Sequence, residues 1–265
     1  MSDSLLETVD LTGGYQGTAV IHNCSVTVAK GEIVVIMGGS GSGKSTFLRH
    51  LIGLKKPMSG SVLLGGKNVY EIPTFERFKL LKSIGVAFQS GALLSSLSIE
   101  DNVALPLREH TNLDEEMVGI VTRMKLDQVD LLGKEKLLPG ELSGGMLKRA
   151  AVARALALDP KLLFFDEPSA GLDPAIAASL DELIIKIKEA LNISIVVVTH
   201  ELDSAFKIAD RIVMLDRGHI IFDGSVPDIK ASKNERIQNL INRVAEKEEF
   251  DPEQHLLRLV GADHE

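Results

Sequence analysis

Five consecutive apolar residues, Ile33-Val34-Val35-Ile36-Met37, read as a strand covered on both faces, the usual state inside a parallel sheet. Ile84-Gly85-Val86-Ala87-Phe88, residues 162–165 and residues 193–198 repeat the pattern. Short strands are predicted around 212–214 and 220–222 to close the core. Ahead of them, residues 5–30 predict short strands interrupted by Gly13, Gly14 and Gly17, with alternation at Val26 and Val28. Between strands the period becomes helical. Phe47, Leu48, Leu51 and Ile52 share one face, with Gly53 placed as a C-terminal cap. Further helices are predicted from Leu142 through Leu158 and up to Leu191. Residues 99–140 are polar and helix-rich, with breaks expected at Pro106, Gly133 and Pro139, and read as a mostly helical insertion. Strands alternating with helices define an α/β fold.

Composition narrows the class. The 265 residues are 45% apolar, enough for a substantial core in one large domain or two small ones. A net charge of -8 argues against a general nucleic-acid binder, which carries a basic surplus. Cys24 is the one cysteine, which excludes an intramolecular disulfide and suits buried strand packing in a reducing compartment. Residues 1–7 lack the basic and apolar regions of a signal peptide, and no apolar run reaches the ~18 residues of a membrane span. The expectation is a soluble cytosolic chain that reaches a membrane only through a partner.

Three clusters carry chemistry. Gly38-Gly39-Ser40-Gly41-Ser42-Gly43-Lys44-Ser45 follows an apolar strand and opens a helix, and fits G-x-x-x-x-G-K-[ST]. Its glycines let successive N–H groups turn onto phosphate oxygens, and the positive end of the following helix faces the same anion, with Thr46 after Ser45 counted among the ATP-binding residues. Lys44 is expected to reach the β- and γ-phosphates, and Ser45 to bind Mg²⁺. Asp166 and Glu167 end an apolar strand, Asp166 placed to hold the magnesium shell and Glu167 to polarise an attacking water. Ser143, Gly144 and Gly145 open a further helix, a second natural anion site. His200 follows a strand at the carboxyl edge where open α/β sheets bind ligands. The other histidines have no metal-ligand spacing.

This ordered set, with Gln89 after a strand and Gly171-Leu172-Asp173 before a helix, resembles the nucleotide-binding subunits of ABC transporters over roughly residues 5–230. The resemblance implies a P-loop NTPase core, with an N-terminal antiparallel β subdomain and a helical subdomain, about 95–145, inserted in the middle. It implies domain limits of 1–230, with a helical extension over 231–265. It implies an ATPase of two like subunits, with ATP and Mg²⁺ as ligands. Lys44, Glu167 and His200 would be catalytic, and Ser45, Gln89 and Asp166 would hold the metal. Gln89 would couple to a membrane partner, and Ser143 would close over the nucleotide of the opposite subunit. Asp173 would lie at the dimer seam. Tyr15 matches the aromatic that stacks on adenine, or simply packs a hairpin.

Met146 departs from the Gln that most of the family carries after Ser-Gly-Gly. With Phe88-Gln89-Ser90-Gly91-Ala92-Leu93 and residues 101–111 it resembles the ATPases of Mla/Mce-type lipid transport systems. That likeness implies phospholipid movement between membranes in maintenance of outer-membrane lipid asymmetry. It also implies a permease docked near Gln89 and the helical subdomain, an Mce-type lipid-binding partner, and a place on the cytoplasmic side of the inner membrane. The alternative is a soluble ABC ATPase acting as a scaffold in cofactor assembly. In the tail, Ser232 and Glu235 predict a capping box, with Ile237, Leu240, Ile241 and Val244 on one helical face. Leu256, Leu257, Leu259 and Val260 form a small apolar cluster. The tail either folds back on its own core or reaches the second subunit.

Overall fold

The computed structural model describes residues 4–242 and Val244. Two sheets form its frame. Ser4–Tyr15 (β1), Thr18–Ala29 (β2), Ser59–Leu64 (β4) and Lys67–Asn68 (β5) build an antiparallel sheet in the order β2-β1-β4-β5. Ile33–Met37 (β3), Ile84–Ala87 (β6), Leu162–Asp166 (β7), Ser194–Val198 (β8), Arg211–Asp216 (β9) and His219–Gly224 (β10) form the second, ordered β10-β9-β3-β8-β7-β6. Its four pairings from β9 through to β6 run parallel, while β10 is an antiparallel edge.

Nine α-helices are present among the described residues: Lys44–Leu51 (α1), Thr74–Leu81 (α2), Ile99–His110 (α3), Glu115–Gln128 (α4), Gly144–Ala155 (α5), Pro174–Leu191 (α6), Leu202–Ile208 (α7), Val226–Lys230 (α8) and Glu235–Ile241 (α9). Helices α3 and α4 sit between β6 and β7 in the chain and pack with α5.

The continuous apolar strands divide their side chains between two cores, because successive residues of a strand face opposite ways. Ile33, Val35, Met37, Leu163, Phe165, Ile195 and Val197 pack with α5, α6, α7 and α9. Val34, Ile36, Leu162, Phe164, Val196 and Val198 pack with α1 and the antiparallel sheet. Every one of these residues is buried, which is why the sequence shows no polar alternation there.

The structure departs from the sequence pattern at several points. Residues 5–30 form two strands of twelve residues rather than several short ones. Bulges absorb the irregular sequence, one of them between Thr8 and Leu11, where Asp10 adopts a φ of 46°. Pro106 does not break α3 but lies inside it. Ser98 caps this helix, and Ile99, Val103 and Leu107 bury it, holding it across the missing N–H. The cap of α9 is Asn234, whose side chain accepts from the N–H groups of Arg236 and Ile237. Ser232 instead accepts from Asn234 N–H, so the expected capping box is not formed. Ile237 is buried, with Leu240 and Ile241 packed beside it, whereas Val244 is exposed. The cluster of Leu256, Leu257, Leu259 and Val260 lies outside the described residues.

Candidate functional site

Parallel strands send their loops out at a common edge. Gly38 follows β3, Gln89 lies just beyond β6, Glu167 follows β7 and His200 lies just beyond β8. Pairing of β3 with β8, and of β8 with β7, brings three of those loops side by side.

The loop from Gly38 to α1 wraps the end of β3. Gly38 has a φ of +154°, and a Cβ there would lie 2.1 Å from the Leu215 carbonyl oxygen, so only glycine fits. The Gly218 N–H donates to Ser42 O at 3.0 Å, fastening the loop to the turn between β9 and β10. Gly43 precedes α1, and Lys44 and Ser45 begin it, with Ser45 exposed and Thr46 buried. The Lys44 ammonium donates to Gly38 O and Gly39 O, both at 2.9 Å. Burial lowers its pKa, opposed by the charges of Glu167 and Asp166. Gly39 and Gly41 complete the open side of the loop, with Ser40 exposed. The Ser42 hydroxyl is buried without a partner.

Asp166 ends β7, and its Oδ1 is also buried without a partner. Burial raises its pKa, and Glu167 adds to this. A buried carboxylate oxygen beside a lysine-bearing anion cradle is the donor expected of a magnesium shell, so these residues fit Mg·ATP. Glu167 sits at a φ of 47°, a strained conformation for a non-glycine residue and a common mark of functional turns. Its Oε2 accepts from Thr199 Oγ1 at 3.2 Å and from His200 N–H at 3.3 Å, and lies 2.9 Å from His200 Nδ1. The ring of His200, which the resemblance makes catalytic, is seated on Glu167.

Gln89 is exposed, and its carbonyl oxygen accepts from Lys148 Nζ at 2.5 Å. The same ammonium donates to Glu167 O at 3.1 Å. Lys148 is 8% exposed and was missed by sequence analysis, since a lysine on a helix ordinarily faces solvent. Burial lowers its pKa, countered by Asp166 and Glu167. Arg154 extends the tie, donating to Gly91 O and Ala92 O. Thr199 was likewise missed, because its role follows only from contact with Glu167.

Ser143 caps α5 by accepting from Met146 N–H at 3.3 Å. Gly144 packs near Leu172, and a Cβ on Gly145 would come within 2.5 Å of Ile176 Cγ2. Among the described residues, Ser143, Gly144 and Gly145 make no hydrogen bond to the loop at Gly38. Asp173 is exposed and caps α6 through bonds from Ala175 and Ile176 N–H. Tyr15 ends β1 beside α1, where Arg49 donates to its hydroxyl at 2.6 Å and the Lys55 ammonium lies 3.3 Å from its ring centroid. It is 38% exposed, so part of the ring is accessible for stacking.

A phosphate cradle, a buried carboxylate and an adjacent strained glutamate define a nucleoside-triphosphate-hydrolysing site. The chain belongs to the ABC transporter family, whose model matches residues 21–170. It is an ATP-binding, ATP-hydrolysing subunit of that family, with the fold of an ABC nucleotide-binding domain. It is 39% identical over 237 residues to the intermembrane phospholipid transport system ATP-binding protein MlaF of Haemophilus influenzae, covering 89% of this chain and 90% of that one. MlaF of Escherichia coli K12 is 38% identical, over 92% of this chain and 90% of its own length. A probable ribonucleotide transport ATP-binding protein, mkl of Mycobacterium tuberculosis, is 39% identical over 89% of this chain, which spans 66% of that relative. Among solved structures, a part of the CbiONQ ABC transporter complex from Clostridium perfringens superposes with a TM-score of 0.80 at 27% identity, covering 97% of this chain and all of that one. A bacterial ABC transporter cassette solved as a dimer gives 0.77 at 30% identity, covering 83% of this chain and 98% of that one. No helix among the described residues is long and apolar enough to cross a membrane.

Proposed function

We propose that the chain is the ATPase engine of a complex that moves phospholipids between membranes. The observation that carries this reading is its 39% identity to MlaF over a near-full-length match that covers 90% of that protein, against 66% of the mkl protein at the same identity. The reading assigns it an integral permease, an Mce-type lipid-binding partner and a peripheral place on the cytoplasmic side of the inner membrane. The permease would dock near Gln89 and the helical subdomain at about 95–145, within an ATPase domain of 1–230 followed by a helical extension over 231–265.

Two copies would sandwich two nucleotides. Each site takes the residues from Gly38 to Thr46 from one subunit and Ser143, Gly144 and Gly145 from the other, with Asp173 at the seam. The exposed position of Ser143, away from its own loop, supports this division. Ser45, Gln89 and Asp166 would hold Mg²⁺, which neutralises charge on the β- and γ-phosphate oxygens. Lys44 leaves the Gly38 and Gly39 carbonyls to bind the same oxygens. Glu167 takes the proton of the attacking water, with its carboxylate aimed by Thr199 and His200. Tyr15 receives the adenine ring.

The test is purification of the complex from solubilised membranes. A multi-spanning permease that co-purifies with bound phospholipid supports the reading. A wholly soluble complex would favour the cofactor-assembly scaffold, and a permease carrying ribonucleotide would favour the cargo in the name of mkl.

A further inference from the structure

Helix α9, the last among the described residues, lies beyond the segment matched by the family model, yet it lines a cavity with the phosphate loop. Leu240 and the loop residues Gly38, Gly39 and Ser40 line a cavity of about 330 Å³, together with His200 and Met214. An added Cβ on Gly39 would stand 3.6 Å from Leu240 Cδ2, ordinary contact distance. Ile237, one turn earlier, is 2% exposed and shares a core with Met37, the last residue of β3, and with Met214. Arg236 grips Asp216 with two bonds of 2.7 Å. Asp216 ends β9, and the turn that follows places the Gly218 N–H on Ser42 O. Helix α9 thus faces one flank of the loop across this cavity through Leu240 and braces the other through Arg236, Asp216 and Gly218.

We infer that α9 positions the phosphate loop for nucleotide, with Leu240 as the contact residue and the Arg236–Asp216 pair as its anchor. A glycine-rich loop has much backbone freedom to lose when its N–H groups converge on phosphate. A brace that restricts the loop beforehand lowers that cost, and the gain is made in the ground state and the transition state alike. Its removal therefore weakens nucleotide binding without slowing the chemical step. The inference rests on the loop being the nucleotide site.

The test uses the full-length chain with Mg·ADP and Mg·ATP. Leu240→Ala is expected to weaken Mg·ADP binding about fivefold to tenfold, and to raise KM for ATP by a similar factor with kcat unchanged. Leu240→Met, which restores apolar volume, is expected to restore both. Arg236→Ala is expected to reproduce the KM effect in milder form. A structural defect that merely reduced the folded fraction would lower kcat and leave KM alone, and that result overturns the inference. So does unchanged ADP affinity in Leu240→Ala when the parent chain binds ADP. If the parent chain binds neither nucleotide, the assignment of the loop itself fails instead.

Discussion

His200 Nδ1 stands 2.9 Å from Oε2 of Glu167, and the same carboxylate oxygen takes the Thr199 hydroxyl and the His200 backbone N–H. Three groups from the end of one strand thus fix the acid at the end of its neighbour. Under the proposed mechanism its other oxygen would take the proton of the reacting water. Replacing the carboxylate by an amide leaves size and hydrogen bonding nearly intact while removing the base. Glu167→Gln is expected to bind Mg·ATP normally and to lose hydrolysis about 10²–10⁴-fold, measured as phosphate release beside equilibrium binding. Turnover near the parent rate would remove Glu167 from its role. Thr199→Val removes one orienting bond, and a kcat drop of about tenfold with unchanged KM is expected.

Lys44 acts at an earlier step. Its ammonium is buried and bonded to two loop carbonyls, so it stabilises the loop, and under the proposed mechanism it would also bind phosphate. Lys44→Ala is expected to weaken Mg·ATP binding by about two orders of magnitude, read by calorimetry, through loss of charge-assisted bonds. Retained affinity in this variant would contradict the cradle.

Lys148 holds the strained turn of Glu167 and the turn of Gln89 by one buried ammonium. Lys148→Met leaves both carbonyls without that donor. The expected result is a kcat lowered about tenfold with nucleotide affinity retained, and partial recovery in Lys148→Arg. An equal loss in both variants would show that the position serves packing alone.

The two tyrosines, in a chain without tryptophan, offer a clean alkaline test. Burial pushes the Tyr70 phenol up to about 12 from an ordinary 10.0. Its hydroxyl donates to Lys55 O at 2.5 Å and His50 O at 2.9 Å, bonds a phenolate cannot make. A folded pKa above the unfolded one means the stabilisation is fully present below pH 10 and lost as pH rises from 10 towards 12. For Tyr15 burial acts upward, but hydrogen bonds with Thr46 and Arg49 and the nearby cations prevail and lower its pKa. Tyrosinate absorbance is therefore expected to rise in two separate phases. Tyr70→Phe should remove the later one, together with the loss of thermal stability between pH 10 and 12. A single phase at the ordinary value would refute the assignment.

Much of the site was legible in the sequence because its parts are local. The strand at Ile33, the glycines and Lys44 are contiguous, and a phosphate cradle is made chiefly of consecutive backbone. Asp166 and Glu167 were equally visible, since an apolar strand that ends in two acids conflicts with its own burial. The helical period of α1 and α6 and the apolar runs of the inner strands announced the α/β core for the same reason. What stayed hidden depends on contacts between distant segments. Lys148 and Thr199 look unremarkable until β6, β7 and β8 lie side by side. Pro106 looked like a break because local propensity cannot weigh the packing that keeps α3 intact. Helix α2, with no buried residue, showed no pattern to read. Thus the sequence alone determined the nucleotide chemistry, which resides in short runs of specific residue types. Only the tertiary structure decided that His200 faces Glu167 and that Leu240 shares a cavity with Gly39, because those approaches are set by strand order and helix packing.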